Sequence, residues 1–376
     1  MFFCAKSLLS ESKFIKIMPI IFIFADMIVR FSLLVIIITN FLVSCAGNEG
    51  NHVASSCEYA RWFDISEDGK SVVLLSPYGS RRDTINVTEP FDNIICMSSS
   101  QVAALSAIDA DSVITAVSGI GYVTNPSIRS RYLNSELYDI GYETTLDYER
   151  ILALDTDLLV TYNVSGTEPQ FINKLRSLGV PVAVLYDHLE DHPLARAEYV
   201  RLFGALTGRI DKADSVFDSV CKRYVSLAAG VDRSSEKSRI LLNIPYSDAW
   251  YVPGGDSYMS RLISDAGGEV LGTETGKRES KVISLEQAYR LSSKADLWLN
   301  PGMCMSLSEL ENVHLLFPSF GPLKKGLPIY NNTLRITPEG GNDFWESGSV
   351  RPDLILEDII NMIQGKDSLY YFLRLE

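Results

Sequence analysis

Histidine and cysteine are scarce in this chain: 376 residues contain four of the first and six of the second. No two cysteines form a C-x-x-C pair, so neither a zinc knuckle nor a disulfide-dense scaffold is suggested. Cys96 and Cys304 lie in or beside apolar runs and read as small buried hydrophobes, and a disulfide among Cys57, Cys96, Cys221 and Cys304 stays open. His188 and His192 are four apart, a spacing that shares one helix face, yet Pro193 follows directly, and helix entry is favoured over a dedicated metal site. Gly119-Ile120-Gly121 lacks the third glycine of a dinucleotide loop, Gly272 to Lys277 lacks a phosphate-loop frame, and no G-x-S-x-G elbow occurs. With no nucleophile, base or phosphate cradle in evidence, the chain reads as non-enzymatic. Positive charge is also in short supply, 34 basic against 47 acidic side chains, which argues against a nucleic-acid or anionic-membrane surface.

What is present begins with an apolar run, Phe31 to Leu42, preceded by Arg30 and followed by Val43-Ser44-Cys45. The pattern resembles a bacterial lipoprotein signal, in which the cysteine is lipidated and becomes the new N-terminus. It predicts a signal peptide with a possible N-terminal extension over 1–44, acylation at Cys45, and a location on the periplasmic side of a bacterial envelope, anchored to the membrane. The alternative is a single transmembrane helix over residues 17–43, which Asp26 and Arg30 interrupt. Removing residues 1–44 takes away Lys6, Lys13, Lys16 and Arg30 with Glu11 and Asp26, leaving 332 residues with 30 basic and 45 acidic side chains, a formal charge of −15.

Beyond a small, polar tether over 45–57, short apolar runs alternate with helical spacing. Ser71–Leu75, Asn93–Met97, Val113–Val117, Leu158–Tyr162 and Pro181–Leu185 read as strands, with Ser98–Ser100 capping a helix through Leu105 and another helix over Phe171–Leu178. Parallel α/β layering follows, placing an N-terminal lobe over 58–190. From Asp191 the texture turns helical, with Pro193 in a first turn and apolar residues recurring to Leu227; 191–235 reads as an interdomain helical backbone whose glycines, Gly204 and Gly208, weaken one helix end. The first pattern then returns over 236–376, with a strand at Arg239–Asn243, helices at Ser257–Ala266 and Leu285–Leu291, a strand at Ala295–Leu299, and Val313–Leu316 and Pro352–Ile363 completing the second lobe. Two such lobes on a stiff bridge enclose a cleft.

Asn93 to Asp109, Thr145 to Leu154 with Asp157 to Val160, Ile283 to Gln287 with Ala295 to Trp298, and Tyr251 to Tyr258 followed by Leu262 to Gly268 together resemble the periplasmic binding proteins of iron-complex, haem and cobalamin ABC importers. The likeness spans about Ile94 to Ile363. It implies a class III periplasmic binding protein fold, two Rossmann-like α/β lobes joined by a long helical backbone. It also implies capture of a ferric siderophore, haem or cobalamin in the interlobe cleft and delivery to an ABC permease and its ATPase subunits. In that family an acidic residue on each lobe docks on basic residues of the permease; the matching positions are Glu149 and Glu286. Both also fit helix-start chemistry, where a carboxylate meets free N–H groups. Tyr122, Tyr162, Trp250, Tyr251 and Trp298 fall in loops or at strand ends where rings can pack on a macrocycle. Arg129, Arg131, Arg278 and Lys281 are the cations available to an anionic siderophore, and the aromatic bias leans towards a macrocycle. The alternative is a surface scaffold or adhesion lipoprotein with the same fold and no import role.

Overall fold

Two runs, apolar but for Thr161, set the architecture of the first lobe. Ile94–Cys96 (β4) and the first four residues of Leu158–Tyr162 (β7) are buried, as strands covered on both faces must be. The computed structural model describes residues 57–79, 82–247 and 249–376, so the leader, Cys45 and all of the expected 45–57 tether but Cys57 lie outside the described residues. In the first lobe a parallel sheet runs in the order β6 (Tyr138–Asp139), β5 (Ile114–Val117), β4, β7, β8 (Val182–Leu185). Its order reverses beside β4, and the crevice beyond the carboxyl ends of β4 and β7 is where open α/β sheets take ligands. Ser98 caps the helix after β4, α1 (Ser99–Ala107), and Gln101 completes a capping box. The remaining helices of this lobe are α2 (Pro126–Leu133), α3 (Tyr148–Ala153) and α4 (Gln170–Ser177).

Ahead of this sheet stands an antiparallel one, β1 (Phe63–Ile65), β2 (Ser71–Leu75) and β3 (Arg82–Asn86). Its third strand is invisible to hydrophobic patterning, because Ile85 is the lone apolar residue among five.

The bridge consists of α5 (Pro193–Ala197), α6 (Tyr199–Leu206) and α7 (Ile210–Ala229). Pro193 does occupy the first turn, and His192 caps it, its Nδ1 accepting the Leu194 N–H at 3.1 Å. That employment gives His192 the helix-entry role expected from its place before Pro193. Gly204 does more than weaken a helix end. A Cβ there would come within 2.5 Å of the Ala213 Cβ, so its absence lets α6 and α7 cross closely. The bridge also fastens the start of the folded chain. The buried Glu198 carboxylate accepts the N–H groups of Glu58, Tyr59 and Ala60 at 2.8, 2.8 and 2.7 Å. Glu190 accepts those of Arg61 and Trp62 at 2.8 and 3.2 Å.

The second lobe has its own sheet, ordered β11 (Gly268–Val270), β9 (Ser238–Leu242), β13 (Leu297–Leu299), β14 (Ile329–Asn331), β15 (Leu373–Arg374). Its first four strands are parallel and β15 is antiparallel. A separate ribbon pairs β10 (Trp250–Val252) with β12 (Lys281–Ile283). Helices α8 (Tyr258–Asp265), α9 (Leu285–Ser292), α10 (Leu307–Val313), α11 (Gly321–Lys325), α12 (Ser347–Val350) and α13 (Pro352–Ile363) surround them. Val313–Leu316 contributes no layer to the core: Val313 ends α10, and the turn that follows points Leu315 into solvent. Arg223 on α7 joins Asp353 and Glu357 on α13 at 2.9 and 2.6 Å, tying this lobe to the bridge.

Candidate functional site

The loops after β5, β6 and β8 on the first lobe's carboxyl edge, and the end of β7, each carry a ring, of which Tyr186 after β8 is buried. Tyr142 follows β6, Tyr122 follows β5, Tyr162 ends β7, and Tyr186 and His188 follow β8. Asp139 organises one end of this arc by accepting the N–H groups of Gly119, Ile120 and Gly141 at 2.9, 3.0 and 2.9 Å, which binds the two loops together. Tyr122 and Tyr142 consequently meet edge to face, 5.8 Å apart and half exposed. At the other end His188 sits 6.5 Å from both Tyr162 and Tyr186. Burial raises the Tyr162 phenol above its ordinary range, and the neighbouring Glu143 carboxylate adds to the shift, so the hydroxyl stays protonated. Burial lowers His188, the Arg196 charge assists, and Asp187 opposes. The imidazole is therefore neutral at pH 7, with both ring nitrogens buried and unpaired.

The second lobe offers strand-end asparagines in the left-handed region, Asn243 after β9 (φ 67°) and Asn300 after β13 (φ 55°). Here two sequence expectations fail. Trp250 and Trp298 are 1% and 0% exposed, stacked with Phe320 and edge to face with Phe317 inside the lobe, and offer no face to a ligand. Their strands turn them inward, and the indole N–H groups donate to the carbonyls of Leu242 (3.1 Å) and Asn243 (2.8 Å), so they hold the strand ends in place. Tyr251, the residue after Trp250 on the ribbon, faces outward and is exposed, with its carbonyl accepting from the Asn243 amide at 3.4 Å.

A strap from the second lobe reaches across to the first. Thr337 donates through Oγ1 to the Gly121 carbonyl at 3.0 Å, and Arg129 pairs with Glu339 at 3.2 Å. Glu346, 2% exposed, accepts the N–H groups of Thr124 and Asn125 at 2.6 and 2.8 Å. Gly341 permits the approach, since a Cβ there would lie 2.8 and 2.9 Å from the carbonyl oxygens of Tyr122 and Gly121. These bonds bring the loop after β5 against the segment after β14. Met303 and Trp345 stand exposed on the second lobe's loops. A separate cavity of about 790 Å³ lies between α1, α7 and the segment 335–353, but its arginines are spent: Arg223 and Arg351 on Asp353, Arg335 on Asp343.

Of the sequence candidates, Tyr122 and Tyr162 belong to the arc, Tyr251 lies outside it on the ribbon, and the two tryptophans are core. Tyr142, Tyr186, His188 and Glu346 were not anticipated as site residues; aromatic residues at consecutive strand ends were the available signal. The cation candidates are all engaged. Arg129 binds the strap, Arg131 donates to the Asp111 carbonyl, Arg278 pairs with Asp191 at 3.0 Å and Lys281 with Glu274 at 2.6 Å. Glu149 and Glu286 occupy equivalent places, the second position of α3 and of α9, exposed behind the caps Asp147 and Ser284. The Ser284 hydroxyl, then Glu286's own N–H, hold the Glu286 carboxyl below its usual value.

Three buried carboxylates give the fold a pH signature. Burial pushes Glu190 and Glu346 from 4.5 up to about 7, and Asp358 from 3.8 up to about 6. Each is raised in the folded state, so its contribution is fully present below the unfolded value and is lost as pH climbs through the folded one. Burial acts oppositely on the histidines, bringing His192 from 6.5 down to about 4 and lowering His188, so the unfolded chain gains protons below 6.5 and offsets part of the acid-side gain. The carboxylates prevail, so stability falls between about pH 5 and about pH 8. Calorimetry is expected to show a midpoint several degrees lower at the alkaline end; equal midpoints would contradict these burial shifts.

Comparison with known proteins agrees with this architecture. A family model described as periplasmic binding protein matches residues 94–312. An uncharacterised lipoprotein of Methanocaldococcus jannaschii is 23% identical over 294 residues, covering 76% of this chain and 67% of that protein. A periplasmic binding protein from Veillonella parvula superposes with a TM-score of 0.60 at 12% identity, over 79% of this chain and 98% of that one. A periplasmic haem-binding protein from Pseudomonas aeruginosa superposes with a TM-score of 0.55 at 16% identity, over 76% and 98%. With two α/β lobes on a helical bridge and the family's model matched across both, the chain belongs to the periplasmic binding protein family, a class that binds solutes and does not catalyse.

Proposed function

We propose that this protein is the lipid-anchored capture component of an ABC importer and takes a metal-bearing macrocycle, haem or a corrinoid, into the interlobe gap for delivery to the permease and its ATPase. The arc of Tyr122, Tyr142 and Tyr162 carries the ligand reading. It supplies flat apolar faces with hydroxyl tips, while the four candidate cations that an anionic siderophore would seek are engaged elsewhere. The haem-binding relative of the same fold and the lipoprotein relative support the ligand class and the anchor respectively. Glu149 and Glu286, one exposed carboxylate on each lobe, are the proposed contacts with the permease.

The test is titration of the mature chain with haemin, cobalamin and a ferric tris-catechol chelate, followed by absorbance and tryptophan emission. Saturable binding of one macrocycle is expected, weakened about tenfold or more by Tyr122→Ala with Tyr162→Ala. Binding of the chelate alone would replace the macrocycle assignment. Binding of none, with the fold intact, would leave the scaffold reading in its place.

A further inference from the structure

On the second lobe a groove of about 790 Å³ opens between α9 and α11. Lys281, Arg290, Lys294, Lys324 and Lys325 line it, and no carboxylate does. On a chain of net charge −13 such a cluster runs against the composition. Lys281 is paired with Glu274, and the Lys325 ammonium donates to the Ser293 carbonyl at 2.8 Å. Arg290, Lys294 and Lys324 are exposed and make no ion pair among the described residues.

A second feature adjoins them. Leu315 is 96% exposed and Leu316 42%, consecutive in a turn whose Ser319 also lines the groove and donates through Oγ to the Leu316 carbonyl at 2.6 Å. The turn cannot fold these leucines inward. Phe317 is wholly buried against Trp298 and Phe320, and the His314 Nδ1 accepts the Leu316 N–H at 3.1 Å.

We propose that this face seats on the anionic lipid surface of the anchoring membrane, with lipid phosphates opposite Arg290, Lys294 and Lys324 and with Leu315 and Leu316 entering the headgroup layer. The inference rests on the lipid-anchored, permease-docked reading. Glu286 lies one helical turn before Arg290 on α9, so a lobe docked through Glu286 brings the groove to the membrane plane. The whole-chain excess of acid does not forbid this, because charges beyond a Debye length of about 8 Å are screened at physiological salt while the groove's cations lie at the contact. A basic patch with an apolar prong adds a second membrane contact to the acyl anchor.

The experiment uses the chain from Ala46 onward without an acyl group, in which Ser55–Glu376 forms one compact unit. It is sedimented with vesicles of phosphatidylcholine, alone or mixed with phosphatidylglycerol. Partition into the acidic vesicles only, declining as salt rises, is expected. Arg290→Glu with Lys294→Glu and Lys324→Glu lowers it on the order of 100-fold, and Leu315→Ser with Leu316→Ser about tenfold, with the cleft titration unchanged in both. Equal partition into both vesicle types overturns the proposal. Displacement by inorganic phosphate beyond that by chloride at equal ionic strength makes the groove a free-anion pocket and also overturns it. Vesicle binding unaffected by the triple variant, with binding to detergent-solubilised permease lost, assigns the face to an acidic surface of the permease instead. The docking reading fails separately, as uptake retained after reversal of Glu149 and Glu286, variants whose groove is intact.

Discussion

Uptake through the cognate permease is expected to fall on the order of 100-fold when Glu149 and Glu286 are both changed to lysine, while macrocycle binding in the gap is unchanged. Both carboxylates are exposed at the second position of their helices, and neither serves as the cap: Asp147 accepts the Arg150 N–H at 2.9 Å and Ser284 accepts the Gln287 N–H at 3.3 Å. A lysine so near a helix N-terminus costs each helix about 0.5 kcal/mol, too little to unfold a lobe. At an interface with basic residues it turns two attractions into two repulsions. Like-charge juxtaposition costs several kcal/mol, and each 1.4 kcal/mol is tenfold. Single reversals should give intermediate losses, since one contact on each lobe sets both affinity and orientation. Full uptake by the double variant would return both residues to helix-start chemistry, and loss of macrocycle binding would place them on the wrong face.

Replacing Glu346 with alanine is expected to loosen the strap and destabilise the protein by about 2 to 4 kcal/mol. Two hydrogen bonds to one buried carboxyl group cross between the lobes there, and their removal leaves the Thr124 and Asn125 N–H groups without acceptors at the start of α2. Part of that cost is returned, because a carboxyl held up near 7 by burial is itself expensive to ionise. Glu346→Gln keeps one acceptor oxygen and no charge, and it should sit between wild type and alanine. The stronger sign is geometric. With the strap released, a fluorophore pair on α2 and α10 should report a broader distance distribution, and macrocycle affinity should fall as the arc loses its fixed opposite wall. An unchanged distribution would show that α5 to α7 alone hold the lobes apart.

How far the sequence could carry these conclusions depends on which physical signal each feature leaves in it. Pro352–Ile363 was legible residue for residue, because a proline at the first turn precedes an amphipathic run that ends beside Gln364 and Gly365. The strands at Ile94 and Leu158 were legible as apolar runs. β3, with its single isoleucine, was not, and β14, three residues long, falls below any periodic signal. In the site the strand ends were visible but the direction of each ring was not. Trp250 and Tyr251 are neighbours on one strand, so one must face in and the other out, and sequence alone assigns no face. The unpaired state of His188 and the span from Glu346 to Thr124, 222 residues apart, are tertiary facts with no local trace.

The fastening of Glu58 to Trp62 by Glu198 and Glu190 bears on how the molecule carries load. With Cys45 acylated as proposed, the twelve residues to Cys57 give a leash of roughly 40 Å at full stretch. Any tug along it arrives at three backbone bonds on Glu198, at the junction of α5 and α6 in the beam that joins the lobes, shared with two on Glu190 just ahead of α5. Thermal drift of the anchor thus drags the body as a whole and does not pry the jaws, so the grip on cargo is mechanically insulated from the membrane's motion.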